Sequence, residues 1–242
     1  ENRSVSTPTK RKKLTVFFSD IVNFSDITER VESEDITRIL NEYLNEMSGI
    51  ALKYGATIDK YVGDAIMIFF GDPETLGVQE DARACVLMAV EMQRMIKHLA
   101  LRWQKQGFDH PFQIRIGINT GYCTVGDFGS NERMDYTIIG HQVNLAARLE
   151  QAARPGTVLV SHDTYALVKD LVNVEEREPL TVKGNSRTIQ AFTILGLKDQ
   201  ALHSLIQIEG TGLNMEVDLN IADRDEVAKA LRSTLERISA LN

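Results

Sequence analysis

IDKYVGDAIMIFFG, residues 58–71, contains two strand-like apolar runs joined by Gly63 and Asp64. A two-residue connection that contains glycine, between two such runs, predicts a β-hairpin. Lys60 and Asp64 are charged residues in a segment that is otherwise suited to burial. Because a buried carboxylate needs a partner, the hairpin raises a chemical question as well as a structural one: what pairs with Asp64.

The segments around the hairpin complete a βαββαβ order. LTVFFSDI, residues 14–21, predicts a first strand, and apolar residues between Ile36 and Tyr54 recur at helical steps of three and four. A long helix is expected over about residues 80–106, and FQIRIGINTGYCTVG predicts the next strand. This order is typical of an α+β fold with a ferredoxin-like, palm-like core and an antiparallel sheet.

Additional strands and helices are expected after this core. YTIIG, GTVLVS and a closing pair within LTVKGNSRTIQAFTIL predict strands, and helices are predicted at about 141–153 and 162–168. SLIQIEG and NMEVDLNI predict a separate hairpin followed by a helix. We therefore assign residues 1–13 to a linker, 14–197 to one domain and 198–242 to a hairpin-and-helix appendage.

Composition narrows the class of protein. The net charge of -7 argues against nucleic-acid binding, which needs a basic surface. Two cysteines, Cys85 and Cys123, are too few for a disulfide framework or a zinc site, so we expect a reducing, cytoplasmic location. No apolar run is long enough for this segment to enter a membrane. The chain begins with Glu1, and we expect it to be part of a longer protein, with an upstream membrane anchor or sensor domain left open.

Asp20 and Asp64 are the candidates for chemistry. Asp20 ends the first strand and Asp64 lies at the hairpin tip, so a ferredoxin-like sheet brings both to one edge. Two ionised carboxylates about 4 Å apart repel by roughly 4 kcal/mol at an effective dielectric constant near 20. A divalent cation reverses that cost, and Mg²⁺ or Mn²⁺ suits such oxygen ligands. For either residue alone, an ordinary turn or capping role is the alternative.

Several motifs in order resemble the class III nucleotidyl cyclases, over about residues 13–196. They are FFSDIVNF, KYVGDA, YTIIGHQVNLAARLE and LTVKG. The resemblance implies that Asp20, the backbone carbonyl of Ile21 and Asp64 bind two Mg²⁺ or Mn²⁺ ions per active site. It implies a catalytic role for Asn144 and Arg148. The residues assigned to substrate binding are Lys60, Thr137, Lys183 and Phe24.

The residues expected at the base favour ATP. Lys60 has only donors, which suit the N1 acceptor of adenine and oppose the N1 proton of guanine, and Thr137 can accept from the adenine amino group. In having threonine at this position, the sequence resembles a group of bacterial adenylate cyclases. The implied reaction is conversion of ATP to 3′,5′-cyclic AMP and pyrophosphate, by two-metal, in-line attack of the ribose 3′-hydroxyl on the α-phosphate.

The resemblance also implies a head-to-tail homodimer with sites shared between subunits. Asp20 and Asp64 of one subunit would face the other subunit's site residues, which are Lys60, Thr137, Asn144, Arg148 and Lys183. Two alternatives stay open. Another palm-like phosphoryl transferase, such as a dinucleotide cyclase, would carry a GGDEF-like hairpin in place of YVGDA. A non-catalytic dimerisation or nucleotide-sensing module would lack an aspartate, the asparagine or the arginine, and all are present.

Overall fold

The structure is a computed structural model of the chain. It describes residues 8–108, 110, 112–130, 132–180, 188–198, 205–210, 213–218 and 224–239. Contacts divide the chain into two compact units, Glu1–Lys169 with Val174–Gly196, and Asp170–Asn173 with Leu197–Asn242. The strands are β1 (Lys10–Ile21), β2 (Thr57–Val62), β3 (Ala65–Phe70), β4 (Ile114–Gly129), β5 (Met134–Ile139), β6 (Val158–Ser161), β7 (Val172–Glu176), β8 (Ala191–Leu197), β9 (Leu205–Gly210) and β10 (Leu213–Asp218). The helices are α1 (Phe24–Thr28), α2 (Ser33–Lys53), α3 (Val78–Lys105), α4 (His141–Ala152), α5 (His162–Val168) and α6 (Arg224–Ser239).

The strand order confirms the ferredoxin-like core. The large sheet runs β2-β3-β1-β4-β6-β8-β7, and β5 pairs with the far half of β4. β1 is antiparallel to both β3 and β4. The sheet is mostly antiparallel, as predicted, and the exception is β6, which lies parallel to β4. The connection through α4 is a crossover that returns the chain in the same direction, which makes that pair parallel.

The predicted hairpin is present and has a two-residue turn. Val62 pairs with Ala65 across Gly63 and Asp64. Gly63 has φ 63°, and Asp64 is not among the residues with positive φ. A positive φ at the first turn residue alone is typical of a type II′ turn, which favours glycine there. The turn therefore leaves Asp64 as the residue that leads into β3.

The two predicted core helices are confirmed with small shifts at their ends. α2 buries Ile39, Tyr43 and Met47 completely along the stripe of apolar residues. α3 spans residues 78–105, two residues earlier at its start than expected. Buried Trp103 of α3 packs edge-on against Phe112, and its indole nitrogen donates to Glu42 of α2. The hydrogen bond joins the two helices directly, and Tyr43 of α2 packs edge-on against the same Phe112.

α4 packs closely against the sheet. Leu14 and Val16 of β1 share an apolar cluster with Val143 and Ala146 of α4. Side chains alternate along a strand, so Phe17, which is fully buried, lies on the opposite face of β1. A Cβ on Gly117 of β4 would lie 2.1 Å from the backbone nitrogen of Glu150. The missing side chain at position 117 therefore lets the backbone of α4 approach the sheet.

Other boundaries differ from the sequence prediction. β1 begins at Lys10, so residues 10–13, which we had assigned to the linker, pair with residues 122–125 of β4. β7 was not predicted. Of the expected closing pair, β8 is present and Leu180 bridges Ile189, and residues 181–187 between them lie outside the described part.

The C-terminal hairpin and helix are present as β9, β10 and α6. β9 and β10 are antiparallel, with Leu213 opposite Gly210. Among the described helices, none is long and apolar enough to cross a membrane.

Candidate active site

The two predicted metal ligands come together at the end of β1. Asp20 is the penultimate residue of β1, and Asp64 follows the hairpin glycine between β2 and β3. Because β3 pairs directly with β1, the hairpin turn lies beside the end of β1. The Ile21 amide donates to Asp64 Oδ2 at 3.0 Å. The structure thus places the two aspartates, 44 positions apart in the sequence, at one edge of the sheet.

The surroundings of Asp64 disfavour its charged form. Burial, a hydrogen bond to Asp20 and the negative charge of Asp20 together raise the pKa of Asp64 to about 7. No cluster of three or more His, Cys, Asp or Glu side chains suited to a metal occurs in the described residues. A cation here would need further oxygens from backbone, water or a phosphate, which is how Mg²⁺ is usually bound. The donor set fits a hard divalent ion.

A cation from the protein already contacts Asp20. Arg115 of β4 donates from Nη2 to Asp20 Oδ2 at 2.9 Å and from Nε to Glu150 Oε1 at 2.6 Å. Glu150 belongs to α4, and its side chain is 8% exposed. Burial raises the pKa of Glu150 to about 7, although Arg115 acts in the opposite direction. Arg115 therefore links the carboxylate edge to α4.

Arg115 and Glu150 were missed by the sequence analysis. Arg115 is the register partner of Asp20 in the β1–β4 pair. That pairing could have been found only from a correct strand register, since nothing in the local sequence IRIG distinguishes Arg115 from a solvated charge.

Lys60 and Thr137, the two residues expected at the base, lie in contact. Lys60 Nζ lies 3.2 Å from Thr137 Oγ1, which joins β2 to β5. Thr137 is 7% exposed, whereas the Lys60 side chain is 44% exposed. A third residue, Asp59, accepts from the Thr137 hydroxyl at 2.6 Å and forms an ion pair with Lys60 at 3.1 Å. Asp59 was not among the predicted residues.

Asn144 and Arg148 lie one turn apart on α4, as their spacing predicted. Asn144 is exposed and Arg148 is half-buried. Neither side chain makes a hydrogen bond or ion pair within the part of the chain that the structure describes. Both are therefore available to a ligand or to a second subunit.

Phe24 and Lys183 have different outcomes. Phe24 is the first residue of α1, and its ring packs edge-on against Phe112 at a centroid distance of 5.9 Å. The ring is partly exposed and is used in this packing contact. Lys183 lies outside the described residues.

Comparison with known proteins identifies the family. The model for the adenylate and guanylate cyclase catalytic domain matches residues 7–196. The chain belongs to this family of nucleotidyl cyclases. The crystal structure of the adenylyl cyclase CyaB from P. aeruginosa is similar, with 55% identity and a TM-score of 0.76, covering 78% of this chain and 96% of that one. That of the guanylyl cyclase Cya2 has 31% identity and a TM-score of 0.74, covering 78% and 95%.

A curated relative adds a further comparison. The terminal-differentiation specific adenylate cyclase of Dictyostelium discoideum is 30% identical over 190 residues, which is 76% of this chain and 9% of that protein. The chain spans less than a third of the length of the first curated relatives that it matches.

Membership of the cyclase family gives the site a chemical frame. Nucleotidyl cyclases of this family use divalent metal ions and a nucleotide substrate. Within the described part of this cyclase domain, no hydrogen bond or ion pair joins the carboxylate edge at Asp20 and Asp64 to the Lys60–Thr137 pair. The site residues thus form separate clusters on one chain.

Proposed function

We propose that the chain is the catalytic domain of an adenylate cyclase, which converts ATP to 3′,5′-cyclic AMP and pyrophosphate. The observation that carries the choice of ATP is the 3.2 Å contact between Lys60 Nζ and Thr137 Oγ1. Lys60 can donate to the unprotonated N1 of adenine, and guanine carries a proton at that position. A wrong base at such a contact costs about 1–3 kcal/mol.

Asp20, Asp64 and the Ile21 carbonyl are the residues that would hold two Mg²⁺ or Mn²⁺ ions. When bound, the ions neutralise phosphate charge and lower the pKa of the ribose 3′-hydroxyl. The raised pKa of Asp64, to about 7, supports this assignment, because burial beside a second carboxylate is unfavourable until a cation is present.

The side chains of α4 supply positioning and charge. Asn144 would hold the ribose so that its 3′-oxygen faces the α-phosphorus in line with the leaving pyrophosphate. Arg148 would donate to the α-phosphate oxygens as negative charge builds on them. Their lack of partners among the described residues supports these roles. Lys183 is proposed to hold the triphosphate, and Phe24 to contact it through its backbone amide.

We propose that the site is completed by a second copy of the chain. Large apolar side chains are exposed on the strands that carry site residues, among them Val62 at 63%, Tyr122 at 58% and Ile139 at 49%. Such surfaces favour association between proteins. In a two-fold dimer each subunit would contribute its carboxylate edge to one site and its remaining site residues to the other.

The reaction is tested by the identity of its product. The purified chain is incubated with ATP or GTP and Mn²⁺, and the product is identified by mass spectrometry. We expect cyclic AMP from ATP, at a specific activity that rises with protein concentration. Formation of cyclic GMP in preference would overturn the choice of substrate, and a chain that dimerises without any turnover would favour the non-catalytic module.

The shared site is tested by mixing inactive variants. Asp64→Asn and Arg148→Ala should each be inactive alone, and an equal mixture should recover about a quarter of wild-type activity, because half of the dimers are mixed and each has one intact site. A mixture of Asp64→Asn with Asp20→Asn is the matched control and should recover nothing, since both changes fall on the same half-site. Failure of the first mixture, with mixed dimers demonstrated, would overturn the shared site.

A further inference from the structure

Asp59 owes its position to an irregularity in β2. Ile58 pairs with Ile68 of β3, and Lys60 pairs with Met67, so Asp59 is an extra residue in the ladder. In a regular strand, neighbouring side chains point to opposite faces. A β-bulge breaks that alternation and re-aims a side chain. Here it allows both Asp59 and Lys60 to reach the same threonine, Thr137.

The contacts of Asp59 leave it no role at the surface. Its side chain is 1% exposed, so a bound nucleotide cannot touch it without rearrangement. Asp59 Oδ2 accepts from the Thr137 hydroxyl at 2.6 Å and from the Ile138 amide at 3.3 Å. Asp59 Oδ1 forms an ion pair with Lys60, and this contact does not have the geometry of a hydrogen bond. All of these contacts bind Asp59 to residues of the base site.

The single proton of the Thr137 hydroxyl is therefore committed. As the ion-pair partner of Lys60, Asp59 is a carboxylate and can only accept, and the Lys60 ammonium can only donate. The hydroxyl must donate to Asp59 and accept from Lys60. What Thr137 offers to a base is its remaining lone pair. A hydroxyl that otherwise could serve as donor or acceptor is thus restricted to acceptance.

We propose that Asp59 is a positioning residue that orients the Thr137 hydroxyl as an acceptor and thereby selects nucleotides with an amino group at purine C6. The inference rests on the proposed function, in which Thr137 and Lys60 face the base. The 6-amino group of adenine donates to the lone pair of Thr137. The 6-oxo group of guanine presents lone pairs to a lone pair, and the Thr137 proton cannot turn to meet it while Asp59 holds it.

The variants separate orientation of Thr137 from pairing with Lys60. Asp59→Leu keeps the branched shape but removes both acceptors, so the Thr137 proton becomes free to donate. Asp59→Asn keeps one oxygen, which can still accept from Thr137 and Ile138, and loses the charge that pairs with Lys60. Asp81→Leu is the matched control, because buried Asp81 also accepts from a threonine, Thr75 at 2.6 Å, and from a backbone amide.

The readout is kcat/KM for ATP, GTP and purine riboside triphosphate, which keeps N1 and lacks the 6-amino group. In the wild type, ATP should be preferred over purine riboside triphosphate by at least about fivefold. Thr137→Val should abolish this preference, whereas Asp59→Leu should weaken it, because the freed hydroxyl can still accept, and should raise the use of GTP relative to ATP. Asp59→Asn should retain the preference for ATP, and Asp81→Leu should lose stability with its substrate ratios unchanged.

Each outcome decides the question. If the wild type forms cyclic AMP and Asp59→Leu shows the same substrate ratios as the wild type, the role of Asp59 is refuted while the proposed function stands. Loss of the preference in Asp59→Asn as complete as in Asp59→Leu would assign the effect to Lys60 and also refute it. If Asp59→Leu does not fold, equal use of ATP and purine riboside triphosphate by the wild type refutes the contact directly. A wild type that forms no cyclic AMP refutes the proposed function instead.

Discussion

Asp64→Asn should stabilise the metal-free chain above neutral pH, although it removes a predicted ligand. Asp64 Oδ2 accepts from the Ile21 amide at 3.0 Å, and the asparagine oxygen can accept the same bond. The asparagine amide can donate to Asp20. What the substitution removes is a negative charge that is half-buried beside a second one.

The sign and size follow from the pKa. The pKa of Asp64 in the folded chain is raised to about 7, against about 3.9 for an unfolded chain. Between these values the folded state binds more protons, so the free energy of unfolding falls as the pH rises and the full loss is reached above about pH 7. The complete shift is equivalent to about 4 kcal/mol, and discounting for solvent screening of a half-buried group leaves about 1–2 kcal/mol.

The assay is thermal unfolding in EDTA at pH 5 and pH 8.5. At pH 8.5 the Tm of Asp64→Asn should exceed that of the wild type by about 2–8 °C, and at pH 5, where roughly a third of the loss has developed, the difference should fall to about a third of that value. Glu74→Gln, at an exposed carboxylate, should show no difference at either pH. Saturating Mn²⁺ should raise the Tm of the wild type and leave that of Asp64→Asn unchanged. A variant less stable than wild type at pH 8.5 in EDTA would refute the reasoning, because the carboxylate would then be favourably paired without a metal.

Two further substitutions test the support of α4. Arg115→Met should reduce the free energy of unfolding by about 1–3 kcal/mol, because it leaves Asp20 and buried Glu150 without their partner. Urea unfolding should show a larger loss at pH 8 than at pH 5, because Glu150 is protonated at pH 5. An equal loss at both pH values would contradict this. Gly117→Ala would place a Cβ 2.1 Å from Glu150 N, so we expect a loss of more than about 2 kcal/mol and a fall in kcat of at least about tenfold. Gly49→Ala, which has open space around it, should be stabilised by about 0.5–1 kcal/mol with kcat unchanged.

The parts of the fold that the sequence predicted correctly are those with local causes. The apolar stripe that ends before Gly55 determines α2, and the glycine turn determines the β2–β3 hairpin. Once these elements take the ferredoxin-like order, β3 must lie beside β1, and Asp64 then reaches Asp20 without further information. The contact between Lys60 and Thr137 was reached differently, through the resemblance to the cyclases, since nothing local to either residue predicts it.

The residues that were missed depend on register. Alternation along a regular β2 puts Asp59 on the face opposite Lys60, and only the bulge at Asp59 brings them to one side. Arg115 of β4 contacts the site only because it is the register partner of Asp20 in β1. The parallel pairing of β6 with β4 likewise depends on where the chain emerges from α4. A strand register is a property of two segments together, so neither segment's sequence discloses it.

The two halves of the proposed site differ in how fully their side chains are already used. Lys60, Thr137 and Asp59 bond to one another, so the recognition of the base is organised within one chain before any ligand arrives. Asn144 and Arg148 have no partners in the described residues, and Asp64 bears a charge that the chain leaves uncompensated. Three of the groups assigned to chemistry, Asn144, Arg148 and Asp64, are thus ones that a lone subunit does not satisfy, whereas Asp20 pairs with Arg115. Their counterparts in the proposed dimer, nucleotide phosphates and metal ions, would supply what is missing, so assembly of the dimer and binding of substrate should reinforce each other.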